Sequence, residues 1–203
     1  MLTNFGDIAW WYMEIPRTAS TTIDRNLRAS FPTASAIYQK HWPILPQAQR
    51  LLIGQSIVSI RNPYSRAVSC WQFFTKPGSI SFLDWLKQRL RYGFTDIAIE
   101  ARPQAFWFNL NADKWTHVLR QEYIENDFWT MMPHLGFTGK FQLQKFNEIN
   151  GLWTNRCGYR TSRLQPWQNY YCIESRKLVL ELYSEDFTAL HRYYTTDFPD
   201  GYE

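Results

Sequence analysis

The stretch Glu14-Ile15-Pro16-Arg17-Thr18-Ala19-Ser20-Thr21-Thr22 constrains the fold more than any other part of the chain. It follows an apolar, aromatic run, Ile8 to Ile15, that reads as a buried strand. It precedes Ile23-Asp24-Arg25-Asn26-Leu27-Arg28, a first helix that Ser20 or Thr21 is placed to cap. A strand, a turn of small hydroxyl residues with one cation, and a helix make an anion cradle. N–H groups at the helix start converge on an oxyanion, the hydroxyls donate further bonds, and the guanidinium adds a fixed charge. The same residues also suit an ordinary strand-to-helix loop with a good cap. The Gly-x-x-x-x-Gly-Lys-Ser/Thr pattern of a nucleoside triphosphate loop is absent.

A second strand-to-helix unit follows. Gln55 to Ile60 is β-branched and apolar, which fits a central strand, and Pro63 is placed as the first residue of the next helix. Tyr64, Ala67, Val68, Trp71 and Phe74 recur at helical spacing, with Ser65 and Ser69 one turn apart on a face away from Val68 and Trp71. Arg61 at the strand end and Ser69 on the helix can hold one phosphate between them. A salt-bridged Arg61 beside a tolerated small residue is the alternative.

Further along, Ala36-Ile37-Tyr38 is a short apolar piece and Ile44 to Leu52 a short helix. Phe82, Leu83, Leu86 and Leu90 mark a helix that closes near Gly93. Thr116 to Arg120 reads as a strand, Ile124 to Leu135 as a helix stopped by Gly136, and Leu143 to Asn147 as a last strand. Gly151 to Gln165 reads as a basic loop, Ile173 to Tyr183 as a late helix, and Asp186-Phe187 as the start of an acidic, aromatic tail occupying about 188–203. This alternation predicts an α/β protein, a single domain over 1–203 with a central, mainly parallel sheet flanked by helices. Ligands of such sheets sit beyond the carboxyl ends of the strands, where Arg17 and Arg61 are expected to face one crevice.

With 45% apolar residues the chain is globular, and no apolar run approaches the ~20 residues of a membrane span. Residues 1–7 lack a signal-peptide pattern, so a cytoplasmic location is expected. A net charge of +4 is mild and suits a small polyanionic ligand as well as nucleic acid; no Lys/Arg run of the kind that marks a nucleic-acid arm is present, so nucleic acid is not the expected partner. Cys70, Cys157 and Cys172 have no Cys-x-x-Cys spacing, which argues against a zinc site. Cys157 and Cys172 would pair only in an oxidising compartment; free thiols are the default.

Taken together, the two turns resemble a known family. Pro16-Arg17-Thr18-Ala19-Ser20-Thr21-Thr22 resembles the 5′-phosphosulfate loop of sulfotransferases that use 3′-phosphoadenosine 5′-phosphosulfate (PAPS). Arg61-Asn62-Pro63-Tyr64-Ser65-Arg66-Ala67-Val68-Ser69 is similar to their 3′-phosphate motif. Arg102-Pro103-Gln104, Glu122 to Phe128 and Leu182-Tyr183-Ser184-Glu185-Asp186-Phe187 look like further landmarks of the carbohydrate sulfotransferases, of the heparan 2-O and bacterial stand-alone kind. The resemblance implies a P-loop-like sulfotransferase fold over about residues 8 to 190. It implies transfer of a sulfuryl group from PAPS to a hydroxyl, leaving 3′-phosphoadenosine 5′-phosphate (PAP), on a carbohydrate or other small acceptor and with no metal. Arg17, Thr18, Ala19, Ser20, Thr21 and Thr22 would hold the 5′ end, and Arg61 with Ser69 the 3′-phosphate. The family usually carries lysine at position 17; arginine keeps the charge in a fixed fork and reads as an electrostatic clamp. His41, at the family's histidine position, is the first candidate base and Glu100 the second; a packed loop histidine and a solvated glutamate are the plain alternatives. Arg160 or Arg163 would touch the 3′-phosphate from a closing loop, or simply be solvated. A short chain without signal or anchor fits a bacterial or viral context better than the Golgi. A small-molecule kinase, which would need Mg²⁺, and a non-catalytic module binding nucleic acid or glycans remain the alternatives.

Overall fold

The Ile8 to Ile15 run forms strand β1 over Trp10–Glu14 in the computed structural model, with every residue of the strand buried. The structure describes residues 10–34, 36–40, 55–94, 99–109, 115–139, 142–144, 152–154, 160–162 and 166–199. Helix α1 (Ser20–Ser30) turns Ile23 and Leu27 inward and carries the chain back to β2 (Ala36–Lys40), which pairs parallel to β1 from Trp10↔Ala36 to Glu14↔Lys40. On its other side β1 pairs parallel with β3 (Ser56–Ile60), and β3 in turn with β4 (His117–Arg120). The order is β2-β1-β3-β4, all parallel. The two central strands β1 and β3 are buried throughout, so they read as continuous apolar and β-branched runs without alternation.

The chain forms two compact units, each with its own core. The first draws on described residues within Met1–Ile60 and Trp107–Phe146 and contains the parallel sheet. Trp10, Tyr12 and Ile57 pack there with Ile23 and Leu27 of α1 and with Phe128 and Met131 of helix α5 (Ile124–His134). The short helix α4 (Ala105–Phe108) spans the boundary between the two in sequence. The second unit draws on residues within Arg61–Phe106 and Asn147–Glu203. Its centre is helix α2 (Pro63–Phe74), whose Tyr64, Ala67 and Val68 pack with helix α3 (Phe82–Tyr92) and helix α6 (Ile173–Leu182). Asn62 caps α2 by accepting from Tyr64 N–H at 2.9 Å, with Pro63 at the first helical position.

Several sequence expectations need correction. Residues 142–144 are not a strand, because the Asn26 side chain takes up the Gln144 peptide: it donates to the Gln144 carbonyl at 2.8 Å and accepts its N–H at 3.1 Å. The stretch read as a basic loop contains an antiparallel pair, β5 (Leu152–Thr154) with β6 (Arg160–Ser162). Asp186 and Phe187 do not open a tail; they are buried in helix α7 (Ser184–Ala189). Ser65 and Ser69, one turn apart on α2, are both buried, for which the sequence pattern carries no expectation. The Ile44 to Leu52 helix and the 145–147 part of the last strand lie outside the described residues.

Candidate anion-binding turns

Neither Ser20 nor Thr21 caps α1. The N-cap is Ala19, in the left-handed region at φ 64°, and Arg17 two residues earlier is left-handed too, at φ 67°. Thr18 lies between them at negative φ. Each left-handed residue bearing a Cβ costs roughly 1–2 kcal/mol, and alternation of φ sign aims successive backbone N–H groups into one concavity. Such strain persists only where the surroundings over-determine it.

The surroundings here are a buried hydroxyl chain. Thr18 Oγ1 donates to the Ile15 carbonyl at 2.7 Å and also lies 2.7 Å from Ser59 Oγ on β3. Its own proton is committed, so Ser59 donates to Thr18, and the Tyr12 hydroxyl, 3.1 Å away, donates to Ser59. Burial holds the Tyr12 phenol well above its usual pKa, which keeps it a neutral donor. The chain of donors thus runs Tyr12, Ser59, Thr18, Ile15, and it ties the turn to both central strands. Ser59→Ala is expected to cost about 1–3 kcal/mol. In thermal unfolding, Tyr12→Phe added to Ser59→Ala should then cost much less than Tyr12→Phe alone; full additivity would mean the hydroxyls do not act as a chain.

At the helix start, Thr22 N–H and Ile23 N–H both donate to the Ala19 carbonyl, at 2.9 and 3.2 Å. The N–H groups of Ser20 and Thr21 have no acceptor among the described residues, as expected for an uncapped first turn. Ser20 and Thr22 are buried and Thr21 is half-buried. The turn leaves β1 at its carboxyl end. From β1 the chain goes to β2 on one side, and β3 and β4 lie on the other, so the topological switch point falls between β1 and β3. Parallel sheets bind ligands outside the strand ends at that point.

Arg61 is the first residue after β3 and is 8% exposed. Its Nε donates to Ser65 Oγ at 2.8 Å, and that hydroxyl donates onward to the Asn62 carbonyl at 3.2 Å. Ser69 follows Ser65 by one helical turn and is likewise buried. The guanidinium is thereby oriented along the helix face that carries both serines.

In the second unit, a cleft of about 450 Å³ is lined by Phe94, Arg102, Phe106, Glu181, Ser184 and Glu185 among others. The Arg102 guanidinium sits over the half-exposed Phe106 ring, 5.6 Å from its centroid. Of the remaining candidates, Arg160 begins β6 and Glu100 lies in a 3₁₀ turn, Ile99–Ala101. Their side chains, and His41 and Arg163 entirely, lie outside the described residues. Among the described residues neither Cys70 nor Cys172 is in a disulfide. Among the described residues no cluster of three His, Cys, Asp or Glu residues could hold a metal, and no helix is long and apolar enough to cross a membrane.

Sequence reasoning missed the residues beneath the turns: Tyr12, Ser59, Arg66, Gln104 and Asp186. Their one signal was a polar group at a position the pattern makes buried, such as Ser59 within the run Ile57-Val58-Ser59-Ile60.

Fold and turns define an α/β protein with a parallel sheet and, at its switch point, a turn with two left-handed residues. Compared with protein-family models, curated proteins and solved structures, the chain matches none.

Proposed function

We propose that the protein is a sulfotransferase that moves a sulfuryl group from PAPS to a hydroxyl of a carbohydrate or similar acceptor. The observation that carries the reading is the Arg17–Ala19 turn. Two strained residues, a buried hydroxyl chain and two first-turn N–H groups without acceptors among the described residues together fit a tetrahedral oxyanion at the sheet's switch point. In this reading Arg17 and the Ser20 and Thr21 N–H groups hold the 5′ end of PAPS, with Thr18, Thr21 and Thr22 shaping the turn. Arg61 with Ser69 holds the 3′-phosphate. The donor supplies an activated sulfuryl group; the chain supplies fixed positive charge where the leaving phosphate becomes more negative.

The acceptor hydroxyl needs a base, for which His41 and Glu100 stay the candidates, to be separated by His41→Ala and Glu100→Gln. A saccharide acceptor is supported by the cleft that carries Phe106, Glu181 and Glu185: an aromatic ring offers a stacking face and carboxylates accept sugar hydroxyls. A P-loop-like sulfotransferase fold and a cytoplasmic setting are parts of the same proposal.

Thermal unfolding with PAP, adenosine 5′-phosphate, and ADP with Mg²⁺ tests the reading. PAP at about 100 times its dissociation constant should add roughly 2.7 kcal/mol, a shift of several degrees. Adenosine 5′-phosphate should do much less. A shift with ADP and Mg²⁺ but none with PAP would replace the reading with a kinase, and tight PAP binding without transfer to any hydroxylated acceptor would leave a binding module.

A further inference from the structure

Gln104 is completely buried, and its side-chain amide is bonded twice to a single peptide unit's residue, Arg61. Its Oε1 accepts the Arg61 N–H at 3.1 Å, and its Nε2 donates to the Arg61 carbonyl at 2.6 Å. This pattern is what a neighbouring strand would offer, one residue beyond the end of β3. A primary amide carries a donor and an acceptor together in the required plane at any pH; an ionised carboxylate accepts only, and a thioether of the same length does neither usefully.

The segment that presents Gln104 is itself gripped on both sides. Arg66, fully buried on α2, donates through Nη1 to the Arg102 carbonyl at 2.8 Å. Asp186, fully buried on α7, accepts the Ala105 N–H on Oδ1 at 2.7 Å. The guanidinium of Arg61 is therefore fixed at two levels. Ser65 holds its Nε, and Gln104 holds its main chain, so neither φ nor ψ of Arg61 can drift without breaking a buried hydrogen bond.

We infer that Gln104 is the positioning residue that sets Arg61 for a 3′-phosphate, with residues 102–105 held in place by Arg66 and Asp186. The inference rests on the reading of Arg61 as a 3′-phosphate ligand. It explains why a glutamine, rather than an apolar residue, fills a fully buried position in the Arg102-Pro103-Gln104 stretch. Gln104 need not touch the nucleotide: it acts through the residue that does.

The test is calorimetric titration of the full chain with PAP and with adenosine 5′-phosphate, which differ only in the 3′-phosphate. The readout is the ratio of the two affinities, which a loss of general stability does not move. In Gln104→Met, which keeps the side-chain length but neither hydrogen bond, the ratio is expected to fall about tenfold or more while affinity for adenosine 5′-phosphate holds within about twofold. Gln104→Leu, which likewise keeps neither hydrogen bond and carries no titratable group, should lower the ratio too and provides the reading should the methionine variant fail to fold. Arg61→Ala is the control. A ratio that collapses in Arg61→Ala but is unchanged in both folded Gln104 variants would overturn the positioning role alone. A ratio unchanged in Arg61→Ala would overturn the 3′-phosphate reading itself.

Discussion

Arg17→Gly is expected to melt above Arg17→Ala, while both, on the proposed sulfotransferase reading, lose sulfuryl transfer by about two to three orders of magnitude. The two variants remove the same guanidinium, so any contacts it makes cancel in the comparison. What differs is the backbone. Arg17 sits at φ 67°, where a Cβ crowds the following carbonyl and glycine does not, so the glycine variant should be more stable by about 1 kcal/mol. For a chain of this length that is roughly 2–4 °C. Arg17→Lys should keep most of the activity, because the charge remains where negative charge grows on the leaving phosphate. Steady-state rates together with melting curves on the three variants separate the two effects. Near-normal turnover in Arg17→Ala would remove the turn from the site, and equal melting of the glycine and alanine variants would show that position 17 stores no strain. A glycine variant that melts above the alanine variant, with activity lost in both, is the pattern of a residue retained for chemistry in a conformation the backbone resists.

The parts of this fold that could be read from the chain were those governed by local pattern. β1, β3, β4 and helices α1, α2, α3, α5 and α6 fall where apolar period and terminators place them: Pro63 opens α2, Gly93 closes α3, and Gly136 follows α5. The parts that could not be read depend on long-range partners. Nothing local announces that Asn26 will bond the main chain of Gln144, 118 residues away, so that residues 142–144 pair with a side chain rather than with a strand. Nor does Asp186, set among Glu185, Ser184 and Phe187, look different from a solvated tail residue until Ala105 and Arg66 surround it. The same holds at the candidate site. Arg17, Arg61 and the hydroxyl turn were legible as residue types in register, whereas the left-handed geometry of Arg17 and Ala19 and the hydroxyl chain beneath them arise from packing between strands.

Arg66→Met is the substitution expected to damage stability most, by about 3–5 kcal/mol at neutral pH, against total stabilities of roughly 5–15 kcal/mol. The arginine is fully buried, so the methionine fills much of its volume; the loss comes from what stays behind. Asp186, also fully buried, has one carboxylate oxygen, Oδ2, without a hydrogen-bond partner among the described residues. Burial pushes its pKa up to about 6, against the opposing pull of Arg66 and of N–H bonds from Ala105 and Gln104. Its folded pKa therefore lies above its unfolded value. The folded state binds the proton more tightly, so stability is greatest below about pH 4 as far as this group is concerned, falls as pH rises toward 6, and is flat above. Without Arg66 the pKa rises further and the decline extends to higher pH. Arg66→Met should then approach the wild-type protein near pH 5 and fall well below it at pH 8. Asp186→Asn should abolish the pH-dependent decline and remove the charge of Asp186 from beside Arg66. The double variant Arg66→Met/Asp186→Asn, with no charge left to bury, should lose less than the two single losses added together. Urea titrations at pH 5 and pH 8 on the four proteins measure all of these terms. Strict additivity in the double variant, or an Arg66→Met loss equal at both pH values, would show that the two groups do not share a field. With coupling of the expected sign, the charge pair is the clamp on residues 102–105, and its loss should carry through Gln104 to Arg61.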